Sequence, residues 1–132
     1  MDEKIRILLK GHLDKSREKL GAAEILLKEK RFEDAVSRAY YAAFHAAQAV
    51  LLTEGLTAST HQGVVNLFGL RLVKTGKLAS KFGKFLSNLK DDRENGDYEI
   101  FSGIDRETAE EAFREASEFV NEAEKYLKKA AG

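Results

Sequence analysis

Three residues with useful polar side chains lie close together in this sequence: Arg38, Tyr41 and His45. At 100° per residue they fall on one side of a helix. The opposite side carries Val36, Tyr40, Ala43, Phe44, Ala47, Val50 and Leu51. A helix that is apolar nearly all round is packed on several sides, and buried polar groups without partners are costly. The strip is therefore either a polar network inside the fold or one wall of a site.

Two other places add polar side chains that can do chemistry. One is His61, and the other is the run from Asp91 to Tyr98, which contains Arg93 and Asp97. Arginine binds phosphate through paired N–H groups, and histidine exchanges protons near neutral pH. Each of these places also has a simpler interpretation. His61 would be an ordinary residue beside a helix start. Arg93 would belong to a surface ion-pair cluster.

Other chemistries find little support in the sequence. The chain has three histidines and no cysteine, and no spacing of the HExxH, paired Glu-x-x-His or EF-hand type. Its glycines punctuate helical patterns rather than follow strands, so no phosphate-binding glycine loop is predicted. No serine occupies a nucleophile-elbow context. We therefore expect no metal ion and no cofactor.

Helical spacing of apolar residues dominates the chain, which contains no proline. The pattern predicts an all-α, up-and-down bundle of four to five helices. The first predicted helix runs from about 2 to 30, and a tight connection at Arg31 and Phe32 leads into a central helix that ends near Gly55. A third helix is capped by Ser59 or Thr60 and ends at Gly76, and a fourth runs from Leu78 to Leu89. A loop or frayed helix end follows over 91–103, with Tyr98 exposed on it, and Asp105 caps the last helix.

Length and composition set the remaining expectations. With 132 residues the chain is most simply one domain, 1–132. Its 22 basic and 22 acidic residues cancel, so no overall field indicates nucleic acid or a membrane, although a local basic patch is compatible with this balance. No apolar run is long enough to span a bilayer, and no apolar signal segment follows Met1. We expect a cytoplasmic protein that does not enter membranes.

Three segments together resemble the HEPN domains, and in particular the small stand-alone prokaryotic HEPN proteins. The segments are 38–45 (RAYYAAFH), 61–63 (HQG), and Arg93 with Asp97 and Tyr98. The likeness extends over nearly the whole chain. It implies a bundle of four to five helices that dimerises and forms a polar cleft at the dimer interface. It also implies a toxin–antitoxin role, because many HEPN proteins are metal-independent ribonucleases and small members accompany a minimal nucleotidyltransferase that acts as partner and antitoxin.

The sequence departs from the ribonuclease members of that family at one position. Those members carry an arginine followed four to six residues later by a histidine, whereas here Arg93 is followed by Tyr98 and by no histidine. Tyrosine, with an ordinary pKa near 10, is a poor base at neutral pH. His45 or His61 would have to replace the missing histidine, with Arg93 holding phosphate and Asp97 orienting the histidine or pairing with Arg93.

Three functions are compatible with these residues. The first is binding of a nucleotide or RNA in a polar cleft, with Arg38, Tyr41 and Asp97 as binding residues. The second is a metal-independent endoribonuclease toxin that uses Arg93 with His45 or His61, and Tyr98 completes the candidate catalytic residues. The third is a structural dimerisation module without catalysis. The missing histidine favours binding over cleavage, so whether the protein is an enzyme stays open. We also expect a homodimer, and a nucleotidyltransferase partner that transfers a nucleotidyl group to Tyr98.

Overall fold

The computed structural model describes residues 2–131. Within that range the chain forms five α-helices and no β-strand. They are α1 (Glu3–Lys28), α2 (Phe32–Thr53), α3 (His61–Phe68), α4 (Ser80–Tyr98) and α5 (Arg106–Ala131). A π-helical turn, Gly69–Val73, continues α3. The predicted all-α bundle is confirmed.

Helix α2 is the centre of the bundle and packs against each of the other four α-helices. Seven of its buried residues are alanines, at positions 35, 39, 42, 43, 46, 47 and 49. Small side chains on several sides let the neighbouring helices approach closely, and larger residues such as Tyr40 and Leu51 fill the remaining space. This is the packing expected of a helix that is apolar nearly all round.

Side-chain caps fix the starts of α3 and α5. The Thr60 hydroxyl accepts a 2.9 Å hydrogen bond from the backbone N–H of Gly63, which selects Thr60 rather than Ser59 as the cap of α3. Asp105 accepts an equivalent bond from the backbone N–H of Thr108 at the start of α5. His61 is therefore the first residue of a capped helix.

Helix α4 is longer than the apolar pattern suggests. The polar residues 91–98, predicted as a loop or a frayed end, continue the helix to Tyr98. Ion pairs one turn apart support this segment: Lys90 with Glu94 at 2.6 Å, and Arg93 with Asp97 at 3.2 Å. The prediction that Tyr98 lies on a loop is wrong, because Tyr98 is the last residue of α4, although its side chain is exposed as expected.

None of the helices described has both the length and the apolar character to cross a bilayer.

Candidate functional site

Arg93 lies largely buried between α4 and α2, with only 12 % of its side chain exposed. Its Nη1 donates hydrogen bonds to the Tyr41 hydroxyl and to a carboxylate oxygen of Asp97, each at 3.2 Å. The guanidinium carbon lies 5.3 Å from the ring centre of Tyr40 and 5.6 Å from that of Tyr41, which is cation–π distance. The side chain is thus held from three directions.

Two nitrogens of Arg93 have donor capacity that the protein does not use. Among residues 2–130, Nε is buried and has no hydrogen-bond partner. Nη2 likewise donates to none of these residues, but it is not buried. An arginine oriented by its neighbours and still carrying an accessible N–H group is suited to receive an anion.

His61 borders the same tyrosines from the start of α3. Its Nδ1 lies 2.6 Å from the Tyr40 hydroxyl, and its ring stacks on Phe44 with the centres 4.4 Å apart and the planes inclined by 11°. Partial burial, and then the positive charges of Arg93 and Lys90, lower the pKa of His61 below its ordinary value. The imidazole is therefore mainly neutral at pH 7 and can accept a proton.

Tyr40 connects the arginine to the histidine. It is fully buried, its hydroxyl is bonded to His61, and its ring lies against Arg93. Burial raises the pKa of Tyr40 well above its ordinary value, so the phenol stays protonated. We call Tyr40, Tyr41, Phe44, His61 and Arg93 the Arg93 cluster. It combines one fixed cation, one neutral imidazole and a wall of aromatic rings.

His45 lies on a different side of α2, facing α1. Its Nδ1 is 3.1 Å from Nδ1 of His12, and the two rings are 5.4 Å apart. Burial, followed by the charge of His12 and of the nearby lysines 15 and 19, lowers the pKa of His45 to about 4. Burial also lowers the pKa of His12. Across residues 2–130, no hydrogen bond joins His45 to Arg93.

The predicted site residues thus separate into two groups. Tyr41, His61, Arg93 and Asp97 come together around Tyr40. The other three, Arg38, His45 and Tyr98, lie outside this group: His45 faces α1, Arg38 is exposed on α2, and Tyr98 is 74 % exposed at the end of α4. Their roles remain predictions.

Sequence reasoning missed three residues that contact the predicted ones. Tyr40 and Phe44 fall on the apolar side of α2, and His12 lies on α1, outside the segments singled out from the sequence. A signal existed for two of them, since Tyr40 precedes Tyr41 directly and a histidine on an apolar helix face needs a partner. As for metals, no group of three or more histidine, aspartate or glutamate side chains within residues 2–130 is arranged to hold an ion.

Comparison with known proteins identifies the family. The HEPN domain model matches residues 9–127, and the chain belongs to the HEPN family. A protein of Thermotoga maritima named as a UPF0332 protein is 38 % identical over 113 residues, covering 86 % of each chain. "Putative toxin MJ0605" of Methanocaldococcus jannaschii is 37 % identical over 128 residues, covering 97 % of this chain and 95 % of the relative. The predicted family is confirmed.

A solved structure supports the fold independently. The crystal structure of TT1696 from Thermus thermophilus superimposes with a TM-score of 0.77, covering 89 % of this chain and 97 % of that one. The two sequences are 20 % identical, so this likeness concerns the fold alone.

Proposed function

We propose that this protein is a toxin-type HEPN protein that binds a phosphate group of RNA or of a nucleotide at the Arg93 cluster. The observation that carries the proposal is the arginine itself: Tyr41 and Asp97 fix its guanidinium, Tyr40 lies against it, and Nη2 stays accessible. The word toxin in the name of the Methanocaldococcus relative supports the role.

Phosphate fits this arrangement for a geometric reason. With Nε buried and Nη1 bonded to Tyr41 and Asp97, the accessible Nη2 can donate charge-assisted hydrogen bonds to a phosphate oxygen. Because Asp97 already offsets part of the charge of Arg93, and Glu94 that of Lys90, the local positive field is small. We therefore expect modest affinity that falls as salt concentration rises. The aromatic rings beside the guanidinium offer faces for a nucleobase.

A second function, metal-independent cleavage of RNA, is favoured by one observation. His61 is a neutral imidazole beside the rings that hold Arg93, so it can replace the histidine missing at Tyr98. When Nδ1–H donates to the Tyr40 oxygen, Nε2 is free to take the 2′-OH proton. The 2′ oxygen then bonds to phosphorus and the bond to the 5′ oxygen breaks. The protonated histidine returns its proton to that oxygen, while Arg93 stabilises the phosphorane charge.

The partners follow from the family resemblance. We propose a homodimer, and a minimal nucleotidyltransferase that acts as antitoxin. A toxin-type protein needs a counterpart that restrains it, and the name of the Methanocaldococcus relative contains the word toxin. Co-expression with the neighbouring gene product, followed by size-exclusion chromatography with light scattering, tests both statements. A monomer that elutes alone contradicts them.

The binding proposal is tested with a fluorescently labelled single-stranded RNA in the presence of a chelator. Arg93→Gln should weaken binding by roughly tenfold or more, since a charge-assisted contact is lost. Arg71→Gln, which removes an equal charge from an exposed position, is the matched control and should bind as the wild type does. If the wild type binds neither this RNA nor nucleoside triphosphates, the proposal fails and the cluster is a structural network.

Cleavage is measured on the same RNA with two histidine variants. A ribonuclease that uses the Arg93 cluster loses activity in His61→Gln and retains it in His45→Gln. Loss in His45→Gln alone would contradict the role given to His61. Equal cleavage by every preparation would identify a contaminating nuclease.

A further inference from the structure

A groove of about 570 Å³ lies on the surface where the first half of α1 runs beside the last turns of α5. Its apolar lining consists of Leu9 and Leu13 from α1 and of Leu127 and Ala130 from α5. Leu127 is buried in the core, whereas Leu9 and Leu13 are only partly buried against it. The groove therefore leaves leucine side chains partly in contact with solvent on the outside of the bundle, which is typical of an interaction surface when the rim is polar.

Three basic side chains form the rim of this groove: Arg6 and Lys10 from α1, and Lys128 from α5. Arg6 and Lys128 take part in none of the ion pairs formed among residues 2–130. Lys10 pairs with Asp14 at 2.8 Å, but both side chains are largely exposed, and such a pair is weak. The rim is thus positively charged in a chain whose charges cancel overall.

The acidic residue in the lining, Glu124, does not offset this charge. Its two carboxylate oxygens accept hydrogen bonds from Nε and Nη2 of Arg17, at 2.6 and 2.7 Å. Arg17 lies one turn beyond Leu13 on α1 and does not line the groove. This paired contact joins α1 to α5 at one end of the groove and neutralises Glu124. The charge that the groove offers to a ligand is therefore positive.

The length of the groove matches two turns of an α-helix. On α1 its lining runs from Arg6 to Leu13, a distance of about 10 Å along the helix axis. A docked helix that presents apolar side chains at positions i, i+3 or i+4, and i+7 covers the same distance. A narrow acyl chain would stay largely in water here, because the leucines cover it from one side only, whereas small-molecule sites bury most of their ligand. A helix fills the width of the groove and keeps its polar side in solvent.

We propose that the α1–α5 groove binds an acidic amphipathic α-helix of a partner protein. The apolar side of that helix packs on Leu9, Leu13 and Leu127, and carboxylates beside its apolar residues pair with Arg6 and Lys128. Charge complementarity with the rim selects an acidic helix over a basic one. The proposal goes beyond the binding of phosphate, because none of the lining residues belongs to the Arg93 cluster.

The test presents the full chain with a display library of helix-forming peptides. Leucine is fixed at positions i, i+4 and i+7 of each peptide, and the flanking positions vary among glutamate, lysine, glutamine and alanine. We expect selection to enrich glutamate over lysine at the flanking positions, because the rim of the groove is basic. The affinity of the most enriched peptide is then measured by fluorescence anisotropy.

Three variants locate the binding in the groove. Arg6→Glu combined with Lys128→Glu reverses the two unpaired rim charges and should weaken binding by roughly tenfold or more, with a smaller difference at high salt. Arg71→Glu combined with Lys74→Glu reverses the same two residue types at exposed positions outside the groove, and should bind as the wild type does. Leu9→Gln tests the apolar lining and should weaken binding by roughly tenfold. Circular dichroism of each variant checks that the helices are intact.

Several outcomes overturn the proposal. It fails if no peptide is enriched, if lysine is enriched at the flanking positions, or if the two double variants bind the peptide equally well. Decanoate that binds more tightly than the best peptide, and does so through Arg6, would assign the groove to an anionic amphiphile instead. A wild-type dimer that light scattering finds dissociated in the Arg6→Glu, Lys128→Glu variant would assign it to a second copy of this chain.

Discussion

The Nδ1 atoms of His12 and His45 lie 3.1 Å apart where α1 packs against α2. One ring must donate its hydrogen and the other must accept it, so the contact requires at least one neutral imidazole. Protonating both rings would place two positive charges in contact in a half-buried space. The pair is therefore sensitive to acid, although it lies apart from the Arg93 cluster.

Acid should destabilise the protein through this pair. The pKa of His45 is lowered to about 4 in the folded protein, compared with about 6.5 in the unfolded chain. The neutral imidazole of His45 therefore stabilises the folded state fully above pH 6.5, and this stabilisation is lost as the pH falls towards 4. His45→Gln removes this dependence. The difference in free energy of unfolding between wild type and variant should narrow by about 1–2 kcal/mol between pH 7 and pH 4.5, allowing for partial solvent screening. Urea titrations at several pH values measure it, and parallel curves would contradict the prediction.

Tyr41→Phe should loosen Arg93 without removing it. The variant deletes the hydroxyl that accepts a hydrogen bond from Nη1 and leaves the bond to Asp97. We expect a loss of about 1 kcal/mol in the free energy of unfolding and RNA binding weaker by roughly three- to tenfold. Tyr126→Phe is the matched control, since the Tyr126 hydroxyl bonds to none of the residues described. Equal effects in both variants would show that the hydroxyl does not position Arg93.

Gly63→Ala should disturb the start of α3 and with it His61. A Cβ atom at this position would lie 2.8 Å from Oγ1 of Thr60, the oxygen that caps the helix. Losing that cap costs about 1 kcal/mol. Gly21→Ala is the control, because its Cβ meets nothing within 4 Å, and it should stabilise α1 by about 0.5–1 kcal/mol. Thermal unfolding of both variants checks the two signs, and stabilisation by Gly63→Ala would contradict the role of the cap.

Tyr98 should accept a nucleotidyl group from the proposed nucleotidyltransferase. Its phenol is 74 % exposed at the end of α4 and is open to an enzyme. The phenolic oxygen would bond to the α-phosphorus of a nucleoside triphosphate as pyrophosphate leaves and the proton passes to solvent. Intact mass after incubation with partner and nucleotide should increase by one nucleotidyl group. Tyr98→Phe should show no increase, and an adduct that persists in this variant would place the modification elsewhere.

The sequence predicted the positions of the helices better than it predicted which side chains contact one another between them. The expected central helix is α2, and the break expected at Arg31 and Phe32 is found at residues 29–31, so that Phe32 is already the first residue of α2. Apolar spacing predicts these features because it reflects burial directly. It failed at 91–98, where side-chain ion pairs rather than an apolar face support the helix.

Which of the candidate site residues lie together could not be predicted from their angular positions around a helix axis alone. Tyr41 and His45 lie only about 40° apart around the axis of α2, so they were expected to act together. The structure places different helices against them, with Arg93 of α4 beside Tyr41 and His12 of α1 beside His45. The angular position of a residue on one helix does not specify which neighbouring helix its side chain contacts, since that depends on how the helices pack together.

The placement of Arg93 and His61 on either side of Tyr40 has a thermodynamic consequence. Arg93 lowers the proton affinity of His61, and an anion that neutralises Arg93 should remove that effect. Linkage is reciprocal, so a proton on His61 would in turn increase the affinity for the anion by the same factor. Ligand binding and proton uptake at this protein would then be one coupled equilibrium, in which an anion at the arginine favours the protonated histidine.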